Sequence, residues 1–154
     1  MSWSSIADMP TARYALAATS DANGNIYVIG GNDTNFNKVA TVEKWDGSSW
    51  SSLPDMPTAR ELLAVASDSG GNIYAMGGEN SSGEMATVEK WDGSSWSSLP
   101  DMPTVRYFVA GTSNSSGIYA IGGYNGNVLA TVETFAISTP SPPDPPSNLV
   151  ATQQ

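Results

Sequence analysis

A long internal repeat is the feature that most constrains how this chain can fold. Residues 40–60 read ATVEKWDGSSWSSLPDMPTAR, and residues 86–106 repeat that text with Val105 in place of Ala59. An Ile-Tyr-x-x-Gly-Gly segment also occurs three times, starting at Ile26, Ile73 and Ile118. A repeat of this length is typical of folds that stack copies of one small unit. The repeat therefore determines the type of architecture and leaves the ligand undetermined.

Each repeat predicts four short antiparallel β-strands, because turn residues recur about every ten residues and no helical period is present. In the first copy the expected strands are residues 14–20, 26–29 and 39–45, followed by a fourth that begins at Trp50. The second strand is apolar at every position, which is typical of a strand buried on both faces. Such sheets need a cover on each face, and radial stacking of the repeats provides it.

Paired tryptophans mark the turn between the third and fourth strands. Trp45 and Trp50 flank the turn at residues 46–49, and Trp91 and Trp96 flank the same turn in the second copy. We expect each pair to be neighbours across a hairpin, a contact worth about 0.2–1 kcal/mol over small side chains.

The Gly-Gly doublet, the aromatic third strand and the Trp of the fourth strand make residues 2–137 resemble the kelch repeat, which has about 50 residues per unit. The resemblance implies an all-β fold, a β-propeller of four-stranded antiparallel blades around a central channel. We expect three kelch-like repeats over residues 1–138. Propellers typically have about 4–8 blades, so these repeats would form half a propeller.

The third copy is expected to lack its fourth strand, because the sequence from Phe135 is Phe-Ala-Ile-Ser where the repeat has Trp-Asp-Gly-Ser. Residues 2–9 align instead with the fourth strands of the other copies, with Trp3 at the tryptophan position. Three blades are too few to close a ring. We therefore expect residues 2–9 to complete the third blade of a second chain, so that Trp3 pairs with Phe135. Two chains would form a homodimeric six-bladed ring without exposed strand edges.

The alternative is a purely structural fragment of a larger modular extracellular protein, with a bacterial parent as one possibility. Residues 139–146 predict a proline-rich, extended linker. Residues 147–154 resemble the start of a fibronectin type III domain, and we expect this stub to be disordered. The chain begins with no signal-peptide pattern, and its localisation is left open.

Composition narrows the classes of partner and chemistry. The net charge is −9, and the few basic residues are scattered singly, which disfavours nucleic acid and membrane partners. Cys and His are both absent, which excludes disulfides, cysteine nucleophiles and Ser-His dyads. The kelch family includes copper radical oxidases, but these depend on His and Cys. We expect no enzyme activity, no metal and no cofactor; glycoside hydrolysis by the carboxylates of Glu61 and Glu79 is a less favoured alternative.

One arginine recurs at the same place in every copy, after the Met-Pro-Thr segment. The kelch resemblance implies that this residue has a structural role and ties neighbouring blades together through hydrogen bonds. The residues concerned are Arg13, Arg60 and Arg106.

Ligand binding is expected where the copies differ, in the loops at one end of the channel. These positions follow the repeated Arg and the Gly-Gly doublet, and the resemblance implies that they are ligand contacts. They are Tyr14, Glu61, Tyr107, Phe108, Asn32, Asp33, Glu79, Asn80, Tyr124 and Asn125. Their aromatic and acidic character suits a sugar or a basic, aromatic-containing peptide. The sequence therefore predicts a non-catalytic module that binds a protein, peptide or carbohydrate.

Overall fold

The computed structural model describes residues 1–137, and its β-strands follow the sequence repeat. The first copy contains β1 (Ala17–Ser20), β2 (Ile26–Ile29), β3 (Val42–Trp45) and β4 (Trp50–Leu53). The second contains β5 (Ala64–Ser67), β6 (Ile73–Met76), β7 (Glu79–Asn80), β8 (Gly83–Glu84), β9 (Val88–Trp91) and β10 (Trp96–Leu99). The third contains β11 (Ala110–Asn114), β12 (Gly117–Ile121) and β13 (Val132–Ala136).

The strands pair in antiparallel meanders, as the turn spacing predicts. The sheet orders are β1-β2-β3-β4 for blade 1, β5-β6-β9-β10 for blade 2 and β11-β12-β13 for blade 3. Blades 1 and 2 confirm the predicted four-stranded antiparallel sheet. Blade 3 has three strands within the described residues, which agrees with the missing fourth-strand sequence in that copy.

Two predicted strands are longer than the observed ones. β1 begins at Ala17 and not at Tyr14, because Ala15 has φ 53° and interrupts the extended backbone. β3 begins at Val42 and not at Val39. The backbone before it pairs elsewhere, since the Val39 amide donates to the Gly31 carbonyl and the Ala40 carbonyl accepts from Met56. The short β7–β8 hairpin, which follows the second Gly-Gly doublet, was absent from the prediction.

The predicted tryptophan pairs are confirmed. Trp45 is the register partner of Trp50, and their ring centroids lie 5.6 Å apart. Trp91 and Trp96 repeat this arrangement at 5.8 Å. Identical hairpin sequences thus form the same cross-strand contact.

The blades stack face to face, and two apolar clusters lie between them. Between blades 1 and 2 the cluster includes Ile29, Val42, Val65, Ile73 and Ala75. Between blades 2 and 3 it includes Ala64, Tyr74, Met76, Ile118 and Ala120. Alternate residues of β6 therefore point into opposite clusters, because side chains alternate across a strand. All four β6 residues are buried, which confirms the prediction of burial on both faces.

The end blades each leave one face open in this chain. Ile26 of β2 is 37% exposed on blade 1, and Ile121 of β12 is 39% exposed on blade 3. Val132 of β13 is 58% exposed, whereas its equivalents in the first two copies, Val42 and Val88, are buried against the following blade. Blades 1 and 3 thus present apolar faces that resemble the faces buried inside the stack.

The N-terminal segment forms no strand within the described residues, and Trp3 is fully exposed. Phe135 is partly exposed at the outer strand of blade 3. The predicted linker at 139–146 and stub at 147–154 lie outside the described residues, as does Ser138. Within residues 1–137, no helix has the length and apolar character needed to cross a membrane.

Candidate binding surface

The repeated arginine at the junction of blades 1 and 2 is buried. The Nη2 group of Arg60 donates to Oε2 of Glu89 at 2.8 Å and to the Ala75 carbonyl at 3.3 Å, both in blade 2. The carbonyl of Arg60 accepts from the Gly31 amide of blade 1 at 2.9 Å. Desolvation lowers the pKa of Arg60, and the Glu89 charge opposes that shift. This residue is bonded to both blades.

The other two copies hold their arginines in a similar way. Arg106 donates to the Gly122 carbonyl at 2.8 Å and pairs with Glu133 at 2.6 Å, and its carbonyl accepts from the Gly78 amide of blade 2. Arg13 pairs with Glu43 at 2.8 Å. All three arginine side chains are inaccessible to solvent, so these guanidinium groups face the blades and not a ligand.

The Gly-Gly doublets lie where backbone from the next repeat passes very closely. Gly30 has φ 63°, and a Cβ there would lie 2.6 Å from the carbonyl oxygen of Arg60. Gly77 makes the equivalent approach to Arg106 in the next junction. These glycines are needed for positive φ and for close packing of neighbouring repeats.

The predicted ligand residues meet in pairs at one end of the blades. Isolated backbone bridges join Tyr14 to Asn32, Glu61 to Glu79, and Tyr107 to Tyr124. In each pair one residue precedes the first strand of a blade and the other follows its second strand. We define the rim as these three pairs together with the loops at residues 33–38, 80–84 and 125–128. The structure therefore brings the two predicted sets of loop positions together.

A lysine that the sequence analysis did not select links blades 1 and 2 at the rim. The Nζ group of Lys38 lies 2.8 Å from Oε1 of Glu79 and 3.3 Å from Oε1 of Glu61, and it donates to the Asn80 carbonyl at 3.0 Å. Desolvation opposes protonation of Lys38, but Glu79 and Glu61 outweigh it and raise the lysine pKa. Asn32 of blade 1 also donates its side-chain amide to Glu61.

These contacts change the interpretation of the paired carboxylates. Glu61 and Glu79 both bind Lys38, so they are not a free acid and base facing a substrate. The sequence signal for Lys38 was its position, in the loop after a Gly-Gly doublet and one blade before the two glutamates. Within residues 1–137, no group of three or more Asp, Glu, His or Cys side chains is arranged to hold a metal ion.

Blade 3 carries an aromatic cluster at the rim. The ring of Tyr107 lies 5.5 Å from that of Tyr124, edge to face, and 5.0 Å from that of Phe108. Phe108 is 65% exposed and has φ 52°. Desolvation raises the pKa of the Tyr107 phenol, with additional contributions from Tyr124, Glu79 and Glu84. The cluster is an exposed aromatic surface beside carboxylates.

Blade 1 carries a second, smaller aromatic pair. The rings of Tyr14 and Phe36 lie 6.2 Å apart, edge to face. Phe36 was not predicted, and its φ of 64° lies in the left-handed region. Asp33 holds this loop by accepting bonds from the amides of Asn35 and Asn37, and the Asn37 bonds contribute most to lowering the pKa of Asp33. This predicted ligand residue therefore shapes its loop.

The loop around Phe36 has a counterpart in the same chain. Asp33-Thr-Asn-Phe-Asn37 repeats the pattern of Asp21-Ala-Asn-Gly-Asn25, where the left-handed position is occupied by Gly24. Comparison of these two segments was the signal that could have identified Phe36. The remaining predicted residue, Asn125, donates its amide to the Asn127 carbonyl and so also shapes a rim loop.

Comparison with known families agrees with this geometry. The family model described as "Kelch motif" matches residues 69–103, which extend from the turn before β6 to the segment that follows β10. A search of curated proteins gave no match. The matched segment contains the second Gly-Gly doublet and the second tryptophan pair, both of which support the predicted resemblance. The chain therefore contains a segment in blade 2 that matches the kelch motif.

Proposed function

We propose that this chain is a non-catalytic interaction module that binds a protein partner through the rim of blade 3. Kelch motifs generally belong to β-propeller modules that mediate protein interactions. The observation that carries the proposal is the exposed aromatic cluster of Tyr107, Phe108 and Tyr124. Aromatic residues are enriched at protein interfaces, where they supply a large contact area.

The chemistry around the cluster favours a peptide segment with a basic side chain. Phe108 offers an exposed ring face, and Glu84 is an exposed carboxylate near Tyr107. A lysine or arginine of the partner would stack on the aromatic ring and pair with this carboxylate. The chain's net charge of −9 favours the approach of a basic partner.

A peptide array tests this proposal. We expect the protein to bind peptides that combine Arg or Lys with an aromatic residue, and Phe108→Ala to abolish that binding. Alanine fits the backbone, because Ala15 has the same conformation in blade 1 at φ 53°. Val105→Ala is the matched control, since the equivalent residue of the preceding repeat is Ala59.

Unchanged binding by Phe108→Ala would place the site away from the blade 3 cluster. Binding confined to a parallel glycan array would instead support the carbohydrate alternative. A hydrolysed glycan in that array would contradict the proposal that the module is non-catalytic.

We also propose that two chains close a six-bladed ring by exchanging their N-terminal strands. The Trp96 indole N–H donates to the Pro54 carbonyl, which follows β4 of the preceding blade, at 3.0 Å. The Trp50 indole donates in the same way to the Ala7 carbonyl at 2.9 Å. Ala7 thus occupies the place where a preceding blade's fourth strand would end. Residues 2–6 would then supply the fourth strand of a partner's third blade.

The backbone at the ends of the stack supports the same assembly. The Leu62 amide donates to the Ala15 carbonyl at 2.9 Å, and the Phe108 amide donates to the Leu62 carbonyl at 3.0 Å. Among residues 1–137, the Ala15 amide and the Phe108 carbonyl have no backbone partner. A second chain placed by the same blade-to-blade step would join these two groups in both junctions of a closed ring.

Light scattering after size exclusion tests the assembly. We expect a mass twice the chain mass of 16.1 kDa. Deletion of residues 1–9 should produce monomer or aggregate, because the third blade then loses its fourth strand and exposes an edge. A folded monomer of the full chain would contradict the ring and favour a structural fragment of a larger protein. A deletion variant that remains dimeric would contradict strand exchange.

A further inference from the structure

Val128 is a large apolar residue that is almost fully exposed at the rim, at 88%. It occupies the same backbone position as Lys38 and Glu84. The residue that follows each of them donates its amide to the second glycine of the doublet, in the pairs Val39 to Gly31, Met85 to Gly78, and Leu129 to Gly123. Lys38, Glu84 and Val128 therefore occupy equivalent rim positions in consecutive blades.

Within the chain, this position contacts the rim pair of the next blade. Lys38 of blade 1 binds both Glu61 and Glu79, which form the rim pair of blade 2. Glu84 occupies this position in blade 2, and its charge is one of several contributions that raise the pKa of Tyr107 in the rim pair of blade 3. The Lys38 contacts thus define the direction, from this position in one blade to the rim pair of the next.

By the same geometry, Val128 should contact the rim pair of the blade that follows blade 3. In the proposed ring that blade is blade 1 of a second copy, whose rim pair is Tyr14 and Asn32. Tyr14 is about half exposed in one chain. The chemistry is matched at the junction of blades 1 and 2, where a lysine meets two carboxylates, and it would be matched between chains, where a valine would meet an aromatic ring. A valine facing two glutamates would lack that match.

We propose that Val128 of one chain packs on Tyr14 of the partner chain and that this apolar contact specifies the junction between copies. The inference rests on the proposed ring and adds the residues that distinguish its two kinds of junction. Between blades 1 and 2 of one chain the rim contact is an ion pair. Between chains it is an apolar contact that favours blade 3 of one copy next to blade 1 of another.

A charge-exchange cycle tests the contact. Tyr14→Glu should raise the dimer dissociation constant at least tenfold, because it places an unpaired carboxylate against Val128. Val128→Lys should raise it by less, because the lysine can stack on the Tyr14 ring. The double variant should recover most of the affinity, since it recreates the Lys38–Glu61 pair between chains. Both substitutions fit the backbone, because Lys38 and Glu61 occupy the equivalent positions. Asn127→Lys controls for the change in net charge and should leave the dissociation constant within about twofold of the original.

A cross-link provides an independent measurement. The chain contains no cysteine, so Val128→Cys with Tyr14→Cys places one thiol on each side of the proposed junction. A short bismaleimide should give a band at twice the chain mass, and Asn23→Cys with Val128→Cys should give much less.

The outcomes separate this inference from the proposed ring. A monomeric original chain would overturn both. A dimer in which the two charge substitutions are simply additive, and in which the paired cysteines do not cross-link, would overturn the Val128–Tyr14 contact and leave the ring standing.

Discussion

Replacement of Arg60 by methionine should destabilise the fold strongly, because it removes one partner of a buried ion pair. Arg60 has no exposed side chain, and Glu89 is 1% exposed between blades 1 and 2. Arg60→Met keeps an apolar stem of similar length but leaves the Glu89 carboxylate with the Thr58 hydroxyl, 2.7 Å away, as its side-chain hydrogen-bond donor. Breaking a buried pair on one side typically costs about 3–5 kcal/mol.

That cost is a large part of the total stability of about 5–15 kcal/mol that is usual for a domain. Urea unfolding followed by tryptophan fluorescence at pH 7 and fixed protein concentration measures it. With a urea dependence of about 2 kcal/mol per molar, the midpoint should fall by about 2 M. If Arg60→Met does not fold, Arg60→Lys should fold with a smaller loss, because it keeps the charge and gives up the planar guanidinium.

The double variant Arg60→Met/Glu89→Met is the matched control. It should recover most of the lost stability, since no charge is then left buried. A loss below about 1 kcal/mol in Arg60→Met would refute the reasoning, as would a double variant no more stable than the single one.

Three further predictions concern the turns and the blade junctions. Gly77→Ala should lower the free energy of unfolding in urea by at least about 2 kcal/mol, because the added Cβ would meet a backbone carbonyl. Gly126 has open space around it, so Gly126→Ala should cost only about 1 kcal/mol of backbone strain. Equal losses in the two variants would contradict the close approach at Gly77. Desolvation and the bond to Asp21 raise the pKa of Tyr27 from 10.0 to about 12, so this residue stabilises the fold below pH 10 and that contribution disappears as the pH rises through 12. Tyr27→Phe should therefore weaken the loss of stability between pH 10 and 12, and an unchanged alkaline profile would disprove the assignment. Hydrogen bonds donated by the backbone amides of Ser95 and Ser94 lower the pKa of Asp92 from 3.8 to about 2. The contribution of Asp92 to stability is therefore present above pH 3.8 and is lost toward pH 2. Asp92→Asn should reduce the acid dependence of the urea midpoint in that range.

Several features of the fold could be predicted because they depend on residues close together in the sequence. The Trp45–Trp50 pairing follows from a four-residue turn, and the burial of β6 follows from its unbroken apolar run. The missing fourth strand of blade 3 could be predicted from the absence of the Trp-Asp-Gly motif in the third copy. The positions of Tyr107 and Tyr124 at one rim followed from their places after the repeated Arg and the Gly-Gly doublet.

Other features could not be predicted because they depend on contacts between blades or on hydrogen bonds within a single loop. Lys38 looked like an ordinary loop lysine, and its role depends on two glutamates brought near it by the stacking of blades 1 and 2. Phe36 is held in a left-handed conformation by Asp33, a contact that composition and periodicity do not contain. β1 and β3 begin later than predicted because the backbone before them bonds elsewhere, Tyr14 to Asn32 of the rim and Val39 to Gly31 of the Gly-Gly doublet.

The sequence by itself determined the repeating unit, its antiparallel strands and its resemblance to the kelch motif, because turn chemistry and strand periodicity act over a few residues. The tertiary structure decided which charges are buried and which rim residues meet, because Arg60 pairs with Glu89, and Lys38 with Glu79, only when whole blades pack face to face. It also decided which apolar faces are left open. Val88 is buried inside the stack, whereas Val132, at the equivalent position of the third copy, is exposed at its end. Equivalent positions of the repeat thus have different environments according to their place in the stack.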